Sequence, residues 1–167
     1  MLPVIRRVWD WRGHRPTVWV HRRYKWLYVY AFVRPTTGQS WWYLLPTVST
    51  AAMSAALAAF AADEGIDALH RAVLVFDGAG WHTSGKLAVP AGIDFVFLPP
   101  ASPELQPVKR VWTLVDEPVA NRTFADVDEV GDTLVTRCQT LRAARRTIKA
   151  HTHCHWRARE RRRRMFQ

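Results

Sequence analysis

Asp77 has the clearest setting for metal or acid chemistry in this chain of 167 residues. It follows a short apolar run, Ala72–Phe76, and precedes Gly78, so the pattern predicts a strand buried on both faces that ends at the aspartate. Functional side chains usually collect at the carboxyl ends of strands in α/β sheets. Because Asp-Gly is also a common turn pair, these residues alone leave a structural turn role open.

A second strand and a proline-rich turn follow this site. The run Asp94–Leu98 repeats the strand pattern, and the prolines after it exclude both helix and central strand. A helix is predicted to begin near Pro107, because proline is well tolerated in a first turn. Its core-facing side chains recur at helical spacing, namely Val108, Val111, Trp112 and Val115.

Several sequence motifs in and before this segment resemble those of a known family. DGAGWH, FLPPASPELQP and RVWTLVDEPVANR, together with RRVWDWRGHRP near the start, resemble the DDE-type transposases of bacterial insertion sequences, which are relatives of mariner. The likeness runs from about Arg6 to Arg137. It implies an α/β, RNase H-like fold with a mixed central sheet, an antiparallel N-terminal meander and flanking helices.

The resemblance also implies a chemistry. Three carboxylates in the family hold two divalent ions, Mg²⁺ or Mn²⁺, which bridge the attacking and leaving oxygens when water and then a DNA 3′-hydroxyl attack a phosphodiester. Asp77 matches the second acid and is therefore the expected metal ligand and catalytic residue. His82 matches a family histidine, for which we expect an auxiliary role beside the metal.

Two departures predict that catalysis is impaired in this chain. Lys109 stands where the family has its third acid, and the strand that carries the first acid is missing or partial. Asp10 is the only carboxylate in the first sixty residues, and its place between two tryptophans favours a turn role. Asp116 and Glu104 lie near Lys109 in sequence, but neither is an obvious replacement ligand.

The remaining elements follow from periodicity and capping signals. Strands are predicted over Val4–Trp9, Thr17–His21, Tyr24–Val33 and Ser40–Leu45. An alanine-rich helix over Ala51–Glu64, capped by Ser49 or Thr50, and a last helix over Asp126–Arg145 complete the pattern. We therefore expect one catalytic domain over residues 1–145 and a basic, flexible tail over residues 146–167.

The net charge of +10 is unevenly distributed and predicts DNA as the partner. Residues 1–50 hold eight Lys and Arg against one acid, and residues 137–167 hold eleven against one, whereas the middle of the chain is acidic. Solvation of surface charge remains the simpler alternative. The expected DNA-binding residues are Arg6, Arg7, Arg12, Arg22, Arg23, Arg110, Arg157, Arg159, Arg161, Arg162, Arg163 and Arg164.

Composition limits the setting in which the chain works. Two cysteines without a disulfide framework, and no signal-peptide pattern, favour a reducing cytoplasm. The resemblance implies that this is the bacterial cytoplasm, in association with the nucleoid. We expect neither a membrane nor a small-molecule substrate, and the resemblance adds a possible homodimer. Two alternatives to a transposase fragment stay open, namely a noncatalytic basic DNA-binding module and the product of a decayed gene.

Overall fold

The computed structural model describes residues 4–17, 25–77, 85–100 and 102–153, which form a mixed α/β fold. The strands within these residues are β1 (Tyr28–Arg34), β2 (Gln39–Leu45), β3 (Ala72–Phe76) and β4 (Ile93–Phe97). The helices are α1 (Thr50–Glu64), α2 (Trp112–Val115), α3 (Val127–Ala143) and α4 (Arg145–His151), and 3-10 turns span Pro103–Leu105 and Pro107–Val111. None of the described helices is long and apolar enough to cross a membrane.

Strands β1 and β2 form an antiparallel hairpin whose register runs from Tyr28 opposite Leu45 to Arg34 opposite Gln39. The turn closes with a hydrogen bond of 2.8 Å from the Gly38 amide to the Arg34 carbonyl. Gly38 has a φ of +77°, and a Cβ at this position would overlap the carbonyl oxygen of Arg145. Glycine is therefore required here by both the backbone conformation and the approach of α4.

Strands β3 and β4 form a separate, parallel pair with Ala72 opposite Ile93 and Phe76 opposite Phe97. Both strands lie within one residue of their predicted bounds. Among the described residues, however, no strand pairing joins β1–β2 to β3–β4, so the predicted mixed central sheet is replaced by two pairs of strands.

Within the described residues, the predicted N-terminal meander is represented by the β1–β2 hairpin. Residues 4–9 are not a strand, and the described residues show their backbone hydrogen-bonded to Asn121. Val4 accepts from the Asn121 amide at 2.8 Å, and the Asn121 side chain bonds the amide and the carbonyl of Arg6 at 2.9 and 3.1 Å. The second predicted strand, Thr17–His21, lies almost entirely outside the described residues.

Helix α1 packs against both strand pairs. Ser49 caps its first turn by accepting from the Ala52 amide at 3.1 Å, and Gly65 ends it in the left-handed conformation. Its buried side chains, which include Leu57 and Phe60, share one apolar cluster with residues of all four strands. The predicted helix over Ala51–Glu64 is thus confirmed, and it forms the floor beneath both pairs.

A second apolar cluster covers the other side of the β1–β2 hairpin. It joins Val111 and Val115 to one face of α3, where Val130, Leu134, Cys138 and Leu141 are buried as predicted. The helix predicted from Pro107 is a 3-10 turn followed by a single α-helical turn. Asp126 caps α3 by accepting from two amides of its first turn.

Helix α4 lies in the segment that was expected to be a flexible tail from residue 146. Ile148 is fully buried in the second cluster, and the buried Thr152 hydroxyl donates to the Ile148 carbonyl at 2.8 Å. The buried Ile148 side chain thus packs α4 against the rest of the fold. Residues 154–167 lie outside the described residues.

Replacing Ile148 by alanine should lower the free energy of unfolding by about 2–5 kcal/mol, because it empties a fully buried site. The matched control is Val135→Ala on the exposed side of α3, which should change stability by less than about 0.5 kcal/mol. Urea denaturation followed by circular dichroism measures both. Equal stability of the two variants would show that α4 is not part of the core.

Candidate functional site

Asp77 lies directly after β3, at the carboxyl end of the parallel pair. Strand β3 ends with the buried Phe76, whose carbonyl accepts from the Leu98 amide at 2.8 Å. That bond continues the pairing beyond β4 and places the start of the proline turn beside Asp77. The Asp77 side chain is 38% exposed, so it lies at the surface of the fold and not within the core.

The proline turn brings Lys109 to Asp77. The chain passes through the 3-10 turn Pro103–Leu105 and then through Pro107–Val111, which holds Lys109 in its last turn. The Lys109 Nζ lies 3.5 Å from the Asp77 Oδ2, and both side chains are 38% exposed. Asp77 and Lys109, the residues expected at the second and third acid positions, therefore form an ion pair.

A cavity of about 270 Å³ adjoins this ion pair. Four consecutive β1 residues, Tyr28 to Ala31, line one side, and Met53 and Trp112 contribute apolar surface. Gln106 also lines the cavity, and its Oε1 is buried with no hydrogen-bond partner in the part of the chain that the structure describes. The site thus combines one carboxylate, one ammonium and one amide oxygen beside an apolar groove.

The other nearby acids do not join Asp77. Asp116 lines a different cavity of about 330 Å³, where burial raises the pKa of its carboxyl and the nearby Arg6 opposes that rise. Glu104 is exposed in the 3-10 turn Pro103–Leu105. Asp10 accepts from the Trp11 amide at 2.8 Å and contacts the His14 ring, as expected of a turn residue.

The side chains around Asp77 that the structure describes do not fit a divalent metal. Such ions take several oxygen ligands, usually with more than one carboxylate. Within the described residues no group of three or more His, Cys, Asp or Glu side chains could hold one. A Lys ammonium about 4 Å from a divalent ion costs about 8 kcal/mol at an effective dielectric of about 20 before it moves away. Lys109 supplies the positive charge that a metal would otherwise bring to Asp77.

The expected DNA-binding arginines lie partly near the N-terminus, partly in the 3-10 turn Pro107–Val111, and partly outside the described residues. Arg7 and Arg12 are exposed near the N-terminus, whereas Arg6 is half-buried and donates to the Thr113 carbonyl. Arg110 is exposed and donates to the His153 carbonyl at 3.0 Å. The expected residues outside the described ones are His82, Arg22, Arg23, Arg157, Arg159, Arg161, Arg162, Arg163 and Arg164.

Two residues that sequence reasoning missed contribute to this arrangement. Asn121 has a φ of +54° and anchors the N-terminal segment; asparagine tolerates that conformation better than most residues, but the sequence does not announce it. Gln106 lines the cavity beside Asp77, and its buried Oε1 has no hydrogen-bond partner among the described residues. Its place in the proline turn was the available signal.

Comparison with known proteins agrees with this geometry. Residues 3–131 match the family described as DDE superfamily endonuclease. The chain belongs to this family. It is also 41% identical over 114 residues to an uncharacterized protein of Sinorhizobium fredii (strain NBRC 101917 / NGR234), y4pE/y4sA, in a match that covers 68% of this chain and 80% of the relative. No solved structure matches the chain.

Family membership confirms the resemblance and gives the coarse function, a transposase-type nuclease domain whose family acts on DNA. It also shows that the residue beside Asp77 differs from what a metal-dependent family would lead one to expect. DDE endonucleases generally use divalent metals, whereas the described residues of this chain place a lysine beside the aspartate.

Restoring a carboxylate at position 109 should restore metal affinity in part. Lys109→Glu places two acids at the carboxyl end of β3, and we expect it to bind Mn²⁺ at least about tenfold more tightly than the parent. Lys109→Met, which removes the ammonium without adding a ligand, is the matched control and should stay close to the parent. Electron paramagnetic resonance of free Mn²⁺ measures both variants.

The two variants separate the ligand from the charge. An equal gain for Lys109→Met would mean that the ammonium alone blocks an otherwise complete site. No gain for Lys109→Glu would mean that position 109 does not face a metal site.

Proposed function

We propose that this chain is a transposase-type domain, of insertion-sequence origin, that binds DNA and does not cut or join it. The observation that carries the proposal is the Asp77–Lys109 ion pair. Two-metal phosphodiester chemistry needs carboxylates on both sides of the reacting phosphate, and the described residues offer one carboxylate with a cation beside it. No Mg²⁺-dependent step is assigned to this chain.

The distribution of charge supports DNA binding without cleavage. Both ends of the chain are strongly basic, and the net charge is +10. A protein that neutralises phosphates releases counterions, so affinity arises without any metal and without base contacts. A domain of this kind can occupy the DNA of an active relative and interfere with it, acting in the bacterial cytoplasm alone or as a homodimer.

Cleavage should be absent in a supercoiled-plasmid nicking assay. The parent and Asp77→Asn should give the same background of nicked circles in Mg²⁺ and in Mn²⁺, because the described residues of neither protein hold a complete ligand set. An active member of the family serves as the positive control. Nicking by the parent that Asp77→Asn abolishes would overturn the proposal.

DNA binding should depend steeply on salt and not on the ion pair. We expect fluorescence anisotropy with a duplex to show affinity that falls linearly with salt on logarithmic axes, with equal slopes for the parent and Asp77→Asn. Arg12→Ala should reduce that slope by about 1 if the side chain contacts a phosphate. The matched control is Arg71→Ala, which removes the same charge from a residue bonded to Asp94.

This binding experiment fails in a recognisable way. A parent protein without measurable affinity for duplex DNA at low salt would contradict the proposal outright. If Arg12→Ala and Arg71→Ala changed the salt dependence equally, the N-terminal arginines would contribute only to the net charge and would not contact a phosphate.

A further inference from the structure

The N-terminal segment Arg6–Arg15, here called the tryptophan turn, presents two large aromatic side chains to solvent. Trp9 has a relative exposure of 103% and Trp11 of 87%, and no other described large apolar side chain exceeds Trp9. Tryptophan ordinarily buries most of its surface in a folded protein. Both indole rings are therefore available to a partner on their faces as well as on their edges.

The tryptophan turn is held in one conformation by its own hydrogen bonds. The Asp10 carboxylate accepts from the Trp11 amide at 2.8 Å and contacts the His14 ring, while the His14 amide donates to the Trp11 carbonyl at 2.9 Å. Gly13 occupies the turn with a φ of +87°, which favours glycine. A pre-organised turn loses less conformational entropy when it binds than a free segment does.

The base of the tryptophan turn is fixed to the rest of the fold. Asn121 bonds the amide and the carbonyl of Arg6 at 2.9 and 3.1 Å, and the Arg6 guanidinium reaches the Thr113 carbonyl. These bonds tie the start of the turn to the segment that follows α2. The exposed rings therefore project from an anchored base.

Three arginines flank the two tryptophans in the sequence of the turn. Arg7, Arg12 and Arg15 are exposed, and none of them pairs with an acid within the part of the chain that the structure describes. The one acid of the turn, Asp10, is engaged inside it. Exposed aromatic rings between unpaired cations match a strand of phosphates and bases, since phosphates attract the cations and bases stack on the rings.

We propose that the tryptophan turn binds single-stranded DNA, with unpaired bases stacked on Trp9 and Trp11 and the DNA backbone held by the arginines that flank them in the turn. The inference rests on the proposed DNA-binding function and adds the form of DNA. Bases of an intact duplex are already stacked on each other, so an indole face gains a partner only where the strands are separated or end. A second copy of the chain is the less suitable occupant, because it would bring the same arginines face to face.

The test compares a fluorescently labelled oligo-dT with a duplex of matched length. Four proteins are measured by anisotropy: the parent, the double variant Trp9→Ala/Trp11→Ala, the double variant Trp9→Phe/Trp11→Phe, and Leu69→Ala. Leu69 is the matched control because it is an exposed apolar side chain, 88% accessible, outside the turn. Thermal unfolding of all four checks that these surface changes leave the fold intact.

The double alanine variant should lose affinity for oligo-dT by at least about 25-fold, since each stacked base contributes about 5- to 100-fold. Its affinity for the duplex should change by less than about threefold. The double phenylalanine variant keeps an aromatic face at both positions and should retain most of the binding to oligo-dT. Leu69→Ala should match the parent on both DNAs.

Three outcomes would overturn the inference. If the double alanine variant bound oligo-dT with the parent's affinity, the two rings would not contact the DNA. If the substitutions changed only the sedimentation of the protein, the turn would serve self-association. An equal loss on both DNAs would mean that the rings do not select single strands. If the parent bound neither DNA, the proposed function would be refuted together with this inference. If the parent bound the duplex, and its binding to oligo-dT did not depend on the tryptophans, this inference alone would be refuted.

Discussion

The packing of helix α1 is the constraint on which the rest of this structure depends. No strand pairing joins the two strand pairs among the described residues, so they are held together by side chains that meet on α1. The alanines of the helix allow close approach, while Leu57 and Phe60 fill the space between them; the Phe60 ring lies 4.6 Å from that of Phe32. Because both strand pairs pack on α1, this helix also positions the end of β3 and the Asp77 that follows it.

The Asp77–Lys109 ion pair places a lysine at the carboxyl end of β3 in a family that generally uses divalent metals. The proline turn still delivers the side chain at position 109 to the carboxyl end of β3. What arrives is an ammonium, which neutralises the aspartate without a metal. Because both side chains are partly exposed, the pair adds at most about 1 kcal/mol to stability, so its consequence is for ligand binding more than for folding.

The elements with strong local signals could be predicted from the sequence. Helix α1 has a serine cap, an alanine-rich body and a terminal glycine, and β3 is an uninterrupted apolar run, so both were placed within a residue of their observed bounds. The family motifs likewise singled out Asp77 and Lys109 as candidate site residues, and the structure pairs them. Each of these predictions depends on neighbouring residues or on a long, specific motif.

What the sequence could not show depends on distant contacts. The segment Val4–Trp9 has a strand-like pattern, yet bonds to Asn121 hold it in another conformation and leave Trp9 exposed. Helix α4 is concealed in an arginine-rich segment whose one buried apolar residue is Ile148. The separation of the sheet into two pairs also lacks a local signal, because a strand's pattern does not name its partner.

The central claim is that Lys109 takes the place of a metal beside Asp77, and anomalous diffraction from crystals soaked in Mn²⁺ tests it most directly. The account predicts no anomalous peak within coordination distance of the Asp77 carboxylate, with the Lys109 ammonium beside it. An anomalous peak beside the Asp77 carboxylate, with the Lys109 side chain turned away, would contradict this claim. The chain would then bind metal as the metal-dependent nucleases of its family do.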